Sequence, residues 1–497
     1  MLTTTPAAHG IGAIHSLPGS GIPEDIGPLL ERGLANVVET KLPWLFLIYA
    51  LPSVIVLSII MAPFQVADEL ANIERADQVS RGRMVSDILG GTIDGSWTVI
   101  GALYQNMPFH PEVKQTVALA REAGAIRWSG PKDHVNFQAT AQYGPFLYLP
   151  QAIGVALGRL AGLSLARTLL AARVINGFAA CVIGFLALSI CKRGRALTFA
   201  TLLLPMTLSQ FSSASQDALL ISLSILAVAM ASRALCRNRP AGAAEFAVFA
   251  FIVVATTLAR PPQFALAFLA PAFLGRRDPD WGSKGLIAAV VVVAVICWMR
   301  ILSDLTPPVS PNYSLSGQIQ RLLADPLILP AVMMNYFANH AVWLSETVIG
   351  YLGWTDTPMP TWYYLTAAGA LVMATIAPNN HDHDHNRGPI LWAGALALLT
   401  FGALLTAVSL ALYITWTPVG GVTILGMQGR YFLPVLPLLA WVVPEYGPRL
   451  DHLLAPTWYG VLLFPLISLA VTPVIIMERY YGSWLVMTQS LKALLFT

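Results

Sequence analysis

Long apolar runs separated by short polar turns dominate this chain. They fall near 43–64, 167–190, 196–212, 216–233, 243–259, 262–275, 285–303, 361–377, 390–413, 431–444 and 457–476. None alternates strictly between apolar and polar positions, so the pattern predicts helices rather than a β-barrel. Several runs fall short of the ~20 residues that a straight crossing needs, as helices buried inside a large bundle can. A further stretch, YGPFLYLPQAIGVALGRLAG at 143–162, fits either a crossing or a helix lying in the membrane interface.

Composition narrows the class. Of 497 residues, 56% are hydrophobic and 11% charged, against about 25% charged in an ordinary soluble domain. The mean hydropathy is +0.64. A soluble fold cannot hide this much apolar surface, so the expected partner is a lipid bilayer, and nothing points to nucleic acid. The expected fold class is an all-α polytopic membrane protein of about eleven transmembrane helices. It would comprise an N-terminal cytoplasmic segment (1–42), one transmembrane domain (43–477) and a short amphipathic C-terminal tail (478–497). No cleavable signal peptide is expected, because about forty mixed residues precede the first apolar run. Residues 22–44 fit an amphipathic surface helix and a loose tail equally. Cys181, Cys191, Cys236 and Cys297 sit in or beside apolar runs and are read as small core residues, without a disulfide or a metal-ligand spacing.

Positive charge then orients the chain. Three clusters stand out: Lys192/Arg193/Arg195, Arg233/Arg237/Arg239 and Arg276/Arg277/Lys284. Cytoplasmic loops carry the excess of Lys and Arg. With the N-terminus inside, all three clusters face the cytoplasm only if 143–162 does not cross, so that stretch is assigned to the interface. The segments 65–166 and 304–360, the SSASQDAL and ARPPQ turns and the WTPVGGVTILGMQGR loop then lie outside, and the NNHDHDHNRG loop inside.

The outer loops collect the unusual polar residues. Asp68 and Glu69 follow the first apolar run at once, where charge is expensive. By position they fit a general base or helix-start acids favoured by the helix dipole. Ser215 and Asp217 open another run and fit either a helix cap or a pocket wall, the cap being the simpler reading. Gln428, Arg430 and Tyr431 open the run YFLPVLPLLAWVVP. An arginine there can hold a phosphate by its bidentate fork or snorkel to the interface. Arg260 is the other outward arginine at a span end. Glu346, Trp343, Trp354 and Asp356 interleave with apolar residues in 304–360, as an aromatic belt or a lid would. His381, His383 and His385 alternate with Asp in an inner polar loop and are read as solvated rather than as a metal cluster.

No nucleotide-binding, serine-hydrolase, zinc-protease or dinucleotide fingerprint occurs, and no internal repeat stands out. The strings PFQVADELANIERADQVSRG, AQYGPFLYLPQAIG, LARTLLAARVINGF, LLLPMTLSQFSSASQDALL, GYLGWTDTPMP and MQGRYFLPVLP, in this order, resemble bacterial multi-pass membrane proteins grouped as domain of unknown function 2142. The resemblance covers roughly residues 45–440. That family is similar to the GT-C superfamily of membrane glycosyltransferases, which use a polyprenyl-phosphate sugar donor and carry an acidic residue directly after the first span. The resemblance implies a GT-C-like bundle with interfacial helices in the first outer loop, in the bacterial cytoplasmic (inner) membrane with its site facing outward. It implies Asp68 as base; Glu69 is the expected helper, and the chemistry of the two outward arginines puts Arg430 and Arg260 on the donor phosphate. Asp217, Ser215, Gln428, Tyr431 and Glu346 would position substrate. The expected activity is inverting sugar transfer to an acceptor left open. No cofactor is assigned, although the superfamily admits a divalent metal such as Mg or Mn. The alternatives are a transporter or flippase of a lipid-linked or polar solute, and a polysaccharide polymerase or ligase using a diphosphate-linked glycan.

Overall fold

A computed structural model describes residues 26–305 except 238, 276 and 277, together with 314–377, 390–443 and 454–496. His381, His383 and His385 lie outside the described residues. Helix α1 (Ile26–Ile60) leads into a module formed by the first outer loop: α2 (Glu69–Ser80), β1 (Gly90–Asp94), α3 (Ser96–Tyr104), α4 (Val117–Ala125), β2 (Pro131–Asn136), α5 (Gln138–Ala141) and α6 (Leu149–Leu160). β1 and β2 pair antiparallel, Gly90 opposite Asn136, with an irregularity between Gly91 and Ile93. A Cβ at Gly90 would sit 1.9 Å from the Val135 carbonyl oxygen, so the pairing requires glycine there.

The bundle continues with α7 (Leu165–Ile190), α8 (Arg195–Leu202), α9 (Pro205–Phe211), α10 (Asp217–Leu235), α11 (Ala243–Ala259), α12 (Trp281–Leu305), α13 (Leu315–Ala324) and α14 (Ile328–Ile349). A two-stranded turn, β3 (Tyr351–Leu352) with β4 (Thr357–Pro358), precedes α15 (Thr361–Ile376), α16 (Ile390–Thr415), α17 (Leu439–Val442), α18 (Leu454–Tyr480) and α19 (Trp484–Phe496).

The molecule is mostly helical, and its apolar runs differ in the helices they form. Among the described residues, six helices are long and apolar enough to cross a membrane, within α1, α7, α10, α12, α16 and α18. The pair α13 and α14, bent by 104°, would make a seventh. It arises inside the segment expected to be an outer loop. α11 and α15 have 17 and 16 residues. Proline accounts for the other differences. Leu204, held extended before Pro205, divides the run 196–212 into α8 and α9. The runs 262–275 and 431–444 contain Pro262, Pro271, Pro434 and Pro437, and Pro261 stands just before the first. Without those N–H donors they form 3₁₀ segments, Pro261–Phe273 and Gly429–Leu438. The ambiguous stretch 143–162 becomes a 3₁₀ turn and the 12-residue α6, packed along α7.

One core is built from α1, α7 to α10, α15 and α18. A second joins α10 and α11 to α16 and the 3₁₀ segments, and a third fills the first-loop module. α10 fixes the two ends of the bundle. Asp217 begins it, and near its close Ser232 Oγ accepts from the Lys192 amide at 3.0 Å. Alongside, the amide of Ala243 at the start of α11 donates to Asp280 at 3.1 Å, and Lys284 Nζ reaches Asp278 at 2.5 Å. Lys192, Asp278 and Lys284 thus gather at one end, and Asp68 and Asp217, at the starts of α2 and α10, gather at the other.

Candidate functional site

Asp68 occupies the N-cap position of α2 in the left-handed region, φ 63° and ψ 9°, yet its side chain makes no capping bond. Asn72 anchors it instead: the Asn72 amide and Nδ2 both donate to the Asp68 carbonyl, at 3.0 and 2.8 Å. The Asn72 Oδ1 accepts from Tyr148 Oη at 3.0 Å and from the Gln216 amide at 3.4 Å, linking α2 to α6 and to the start of α10. The carboxylate of Asp68 is therefore turned away from its own helix. It is 43% exposed and lies 3.2 Å from Arg430 Nη2.

Glu69, next in sequence, is wholly enclosed. Its Oε1 accepts from Arg173 Nε at 2.7 Å and from the Ala214 amide at 3.0 Å, and its Oε2 from Arg173 Nη2 at 2.6 Å and the Phe64 amide at 3.0 Å. Arg173 also donates to the carbonyls of Ser58, Met61 and Ala62, which close α1. Such a bidentate, fully hydrogen-bonded pair is rigid. Its geometry gives Glu69 the task of joining α1, α7 and the segment before α10, in place of contact with the other site residues.

Asp217 is the centre of the charged cluster. Its Oδ1 lies 2.9 Å from Arg260 Nη2 and its Oδ2 3.7 Å from Arg430 Nη1. The Arg260 contact is close without being aligned as a hydrogen bond. Arg430 thus stands between Asp68 and Asp217, and Arg260 lies beyond. Both guanidiniums approach the Tyr431 ring, at 4.8 Å for Arg260 and 5.6 Å for Arg430. Arg430 Nε and Arg260 Nη1 are buried with no hydrogen-bond partner in the protein.

The flanking residues hold this arrangement. Ser215 Oγ accepts from the Asp217 amide at 3.1 Å, and its carbonyl accepts from Gln151 at 3.0 Å and Asn176 at 2.9 Å. Its hydroxyl therefore stabilises the turn before α10. The Gln428 carbonyl accepts from the Tyr431 amide at 3.2 Å. Between them Gly429 presses on α14: its amide donates to Thr347 Oγ1 at 2.9 Å, and a Cβ would sit 2.3 Å from the Val348 nitrogen. Glu346 precedes Thr347 but stays apart from the cluster and has no ion-pair partner among the described residues. Its charge acts on Tyr351, whose hydroxyl is pushed up first by burial and then by Glu346 and Asp356. Asp356 pairs with Arg479 at 2.7 Å.

Sequence reasoning missed Arg173, Asn72, Tyr143 and Arg479. Arg173 was the legible one, an arginine in the third turn of an apolar helix. Tyr143 comes near the cluster from the first-loop module. Its hydroxyl is pushed up by burial, and the charges of Arg260, Asp68 and Asp217 act on it.

The donor set does not resemble a divalent-cation site. Both carboxylates of the cluster face guanidiniums, and no group of three or more His, Cys, Asp or Glu able to hold a metal occurs among the described residues.

Apolar helices with a buried acid–arginine cluster at one end define a polytopic helical membrane protein. The chain belongs to the family described as predicted membrane protein (DUF2142), whose profile matches residues 51–439 and so takes in Asp68, Asp217, Arg260 and Arg430. No curated protein matches the chain.

Proposed function

We propose that this protein is an inverting membrane glycosyltransferase of GT-C type. It would take a sugar from a polyprenyl-phosphate donor at the outer face of a bacterial cytoplasmic membrane. The observation that carries this reading is the order Asp68, Arg430, Asp217, Arg260 at one end of the bundle, with only the first carboxylate substantially exposed.

The donor phosphate approaches Arg430 and Arg260, whose unpartnered nitrogens supply hydrogen-bond donors for an anion. Arg430 then shares its charge with the phosphate, which loosens its hold on Asp68. The freed Asp68 carboxylate takes the proton of an acceptor hydroxyl as that oxygen attacks the anomeric carbon. The bond from the anomeric carbon to the phosphate oxygen breaks, and its electron pair leaves with the phosphate. The arginines stabilise this growing charge. Asp217 keeps the two guanidiniums close together, and no step requires a metal. In this reading the shorter helices α11 and α15 and the 3₁₀ segments complete a bundle of about eleven crossings, with α2 to α6 as the interfacial module.

Radiolabelled sugar transfer from polyprenyl-phosphate donors, with purified protein in proteoliposomes, tests the proposal. Wild type transfers label and Asp68→Asn does not, while both fold alike. Solute movement without transfer would favour a transporter; transfer only from diphosphate-linked glycans would favour a polymerase or ligase.

A further inference from the structure

A second feature at the same end is an exposed ring, Phe109, set on strained backbone against the half-buried Trp354. Among the described residues, five non-glycine residues have positive φ: Phe64, Asp68, Leu89, Phe109 and Thr355. All but Leu89 belong to one connected network. The Phe109 amide donates to Asp356 Oδ2 at 2.9 Å, next to Thr355. The Trp354 indole donates to the Phe64 carbonyl at 3.0 Å, four residues before Asp68. Each such backbone costs on the order of 1 kcal/mol or more and persists only where the surroundings enforce it, commonly at ligand sites. At Phe109 and Thr355 the buried Arg479–Asp356 pair enforces it, with Arg479 also holding the Met107 carbonyl at 2.8 Å.

This framework presents the Phe109 side chain 62% exposed, its ring 6.3 Å from that of Trp354 in an edge-to-face arrangement. His110 and Glu112, also exposed, stand beside it and share a 2.8 Å contact. An aromatic belt at the membrane interface would account for an exposed ring. It would not account for strained backbone pinned by a buried ion pair. Rigid aromatic faces flanked by hydrogen-bonding groups suit ligands with both apolar and hydroxylated faces.

We infer that the Phe109 ring, buttressed edge-to-face by Trp354, is a sugar-stacking face, a carbohydrate subsite at the Asp68 end of the bundle that holds the acceptor glycan. This inference rests on the glycosyltransferase reading for its choice of ligand. The subsite needs only binding, so it is tested without turnover. Fluorescently labelled full-length protein in detergent is applied to an array of mono- to hexasaccharides built from common cell-envelope sugars. Wild type and Asp68→Asn should bind the same subset. Phe109→Ala should lose at least tenfold in binding with an unchanged melting temperature, and Trp281→Ala, an exposed aromatic far along the chain, should not. Phe109→Gly relieves the strained φ, so it should melt no lower than wild type and still bind weakly. Absence of array binding by wild type, or equal binding by Phe109→Ala, would overturn the subsite. Binding without transfer would instead overturn the enzymatic reading and leave the subsite standing.

Discussion

Asp68 and Glu69 are adjacent carboxylates in opposite surroundings. Glu69 is enclosed and spends both oxygens on four donors, two of them from Arg173. Asp68 is half in solvent and shares Arg430 with a second acid. A left-handed residue between the end of α1 and the start of α2 turns the two side chains apart. The comparison shows that a full set of partners makes a carboxylate a structural joint. A partial set leaves Asp68 open to solvent beside Arg430, where the proposal puts the base.

The strongest way to break the Glu69 side is Arg173→Met. It strands a buried carboxylate and the α1 carbonyls, so the loss should be about 3–5 kcal/mol. The expected result is a sharp drop in folded yield and melting temperature in detergent. An unchanged melting point would remove the joint.

A third acid of α2 sharpens the contrast. Burial pushes Glu74 up to about 8 from its ordinary 4.5. Between those values the unfolded chain releases the proton while the folded protein keeps it. Stability therefore falls as pH rises through 4.5 to 8, and is level on either side. Glu74→Gln should flatten this slope and raise stability at pH 7 by on the order of a few kcal/mol. Melting curves from pH 4 to 9 check this; parallel curves for variant and wild type would contradict it.

Effects on the Asp68 side should appear in function before stability. Arg430→Lys keeps the charge but loses the planar fork, so the donor KM should rise about tenfold with a smaller change in kcat. The mildest change is Thr347→Val. It leaves the Gly429 amide without its acceptor, costs about 1 kcal/mol and loosens Arg430. A fall in donor affinity larger than the fall in stability is expected, measured on the same preparation.

Much of this was legible in the residues. Hydropathy gave the membrane class and the long helices. Asp68, Asp217, Arg260 and Arg430 were legible because charge at the ends of apolar runs needs a reason. Their convergence was not, because contacts across 362 residues of separation leave no local pattern. Nor was the contrast between Asp68 and Glu69, which depends on one left-handed residue and on Arg173 in another helix. The form of the shorter runs was not legible for a local reason: apolar runs rich in proline look like α-helices to a hydropathy scale but cannot complete α-helical hydrogen bonding.

The most direct test compares Asp68→Asn with Glu69→Gln, measuring radiolabelled transfer per folded molecule in proteoliposomes. The account predicts that Asp68→Asn is recovered in wild-type amount and loses at least about 10²-fold in rate. It predicts that Glu69→Gln is recovered poorly but transfers within a few-fold of wild type per folded molecule. A well-folded Glu69→Gln without activity, beside an active Asp68→Asn, would contradict it.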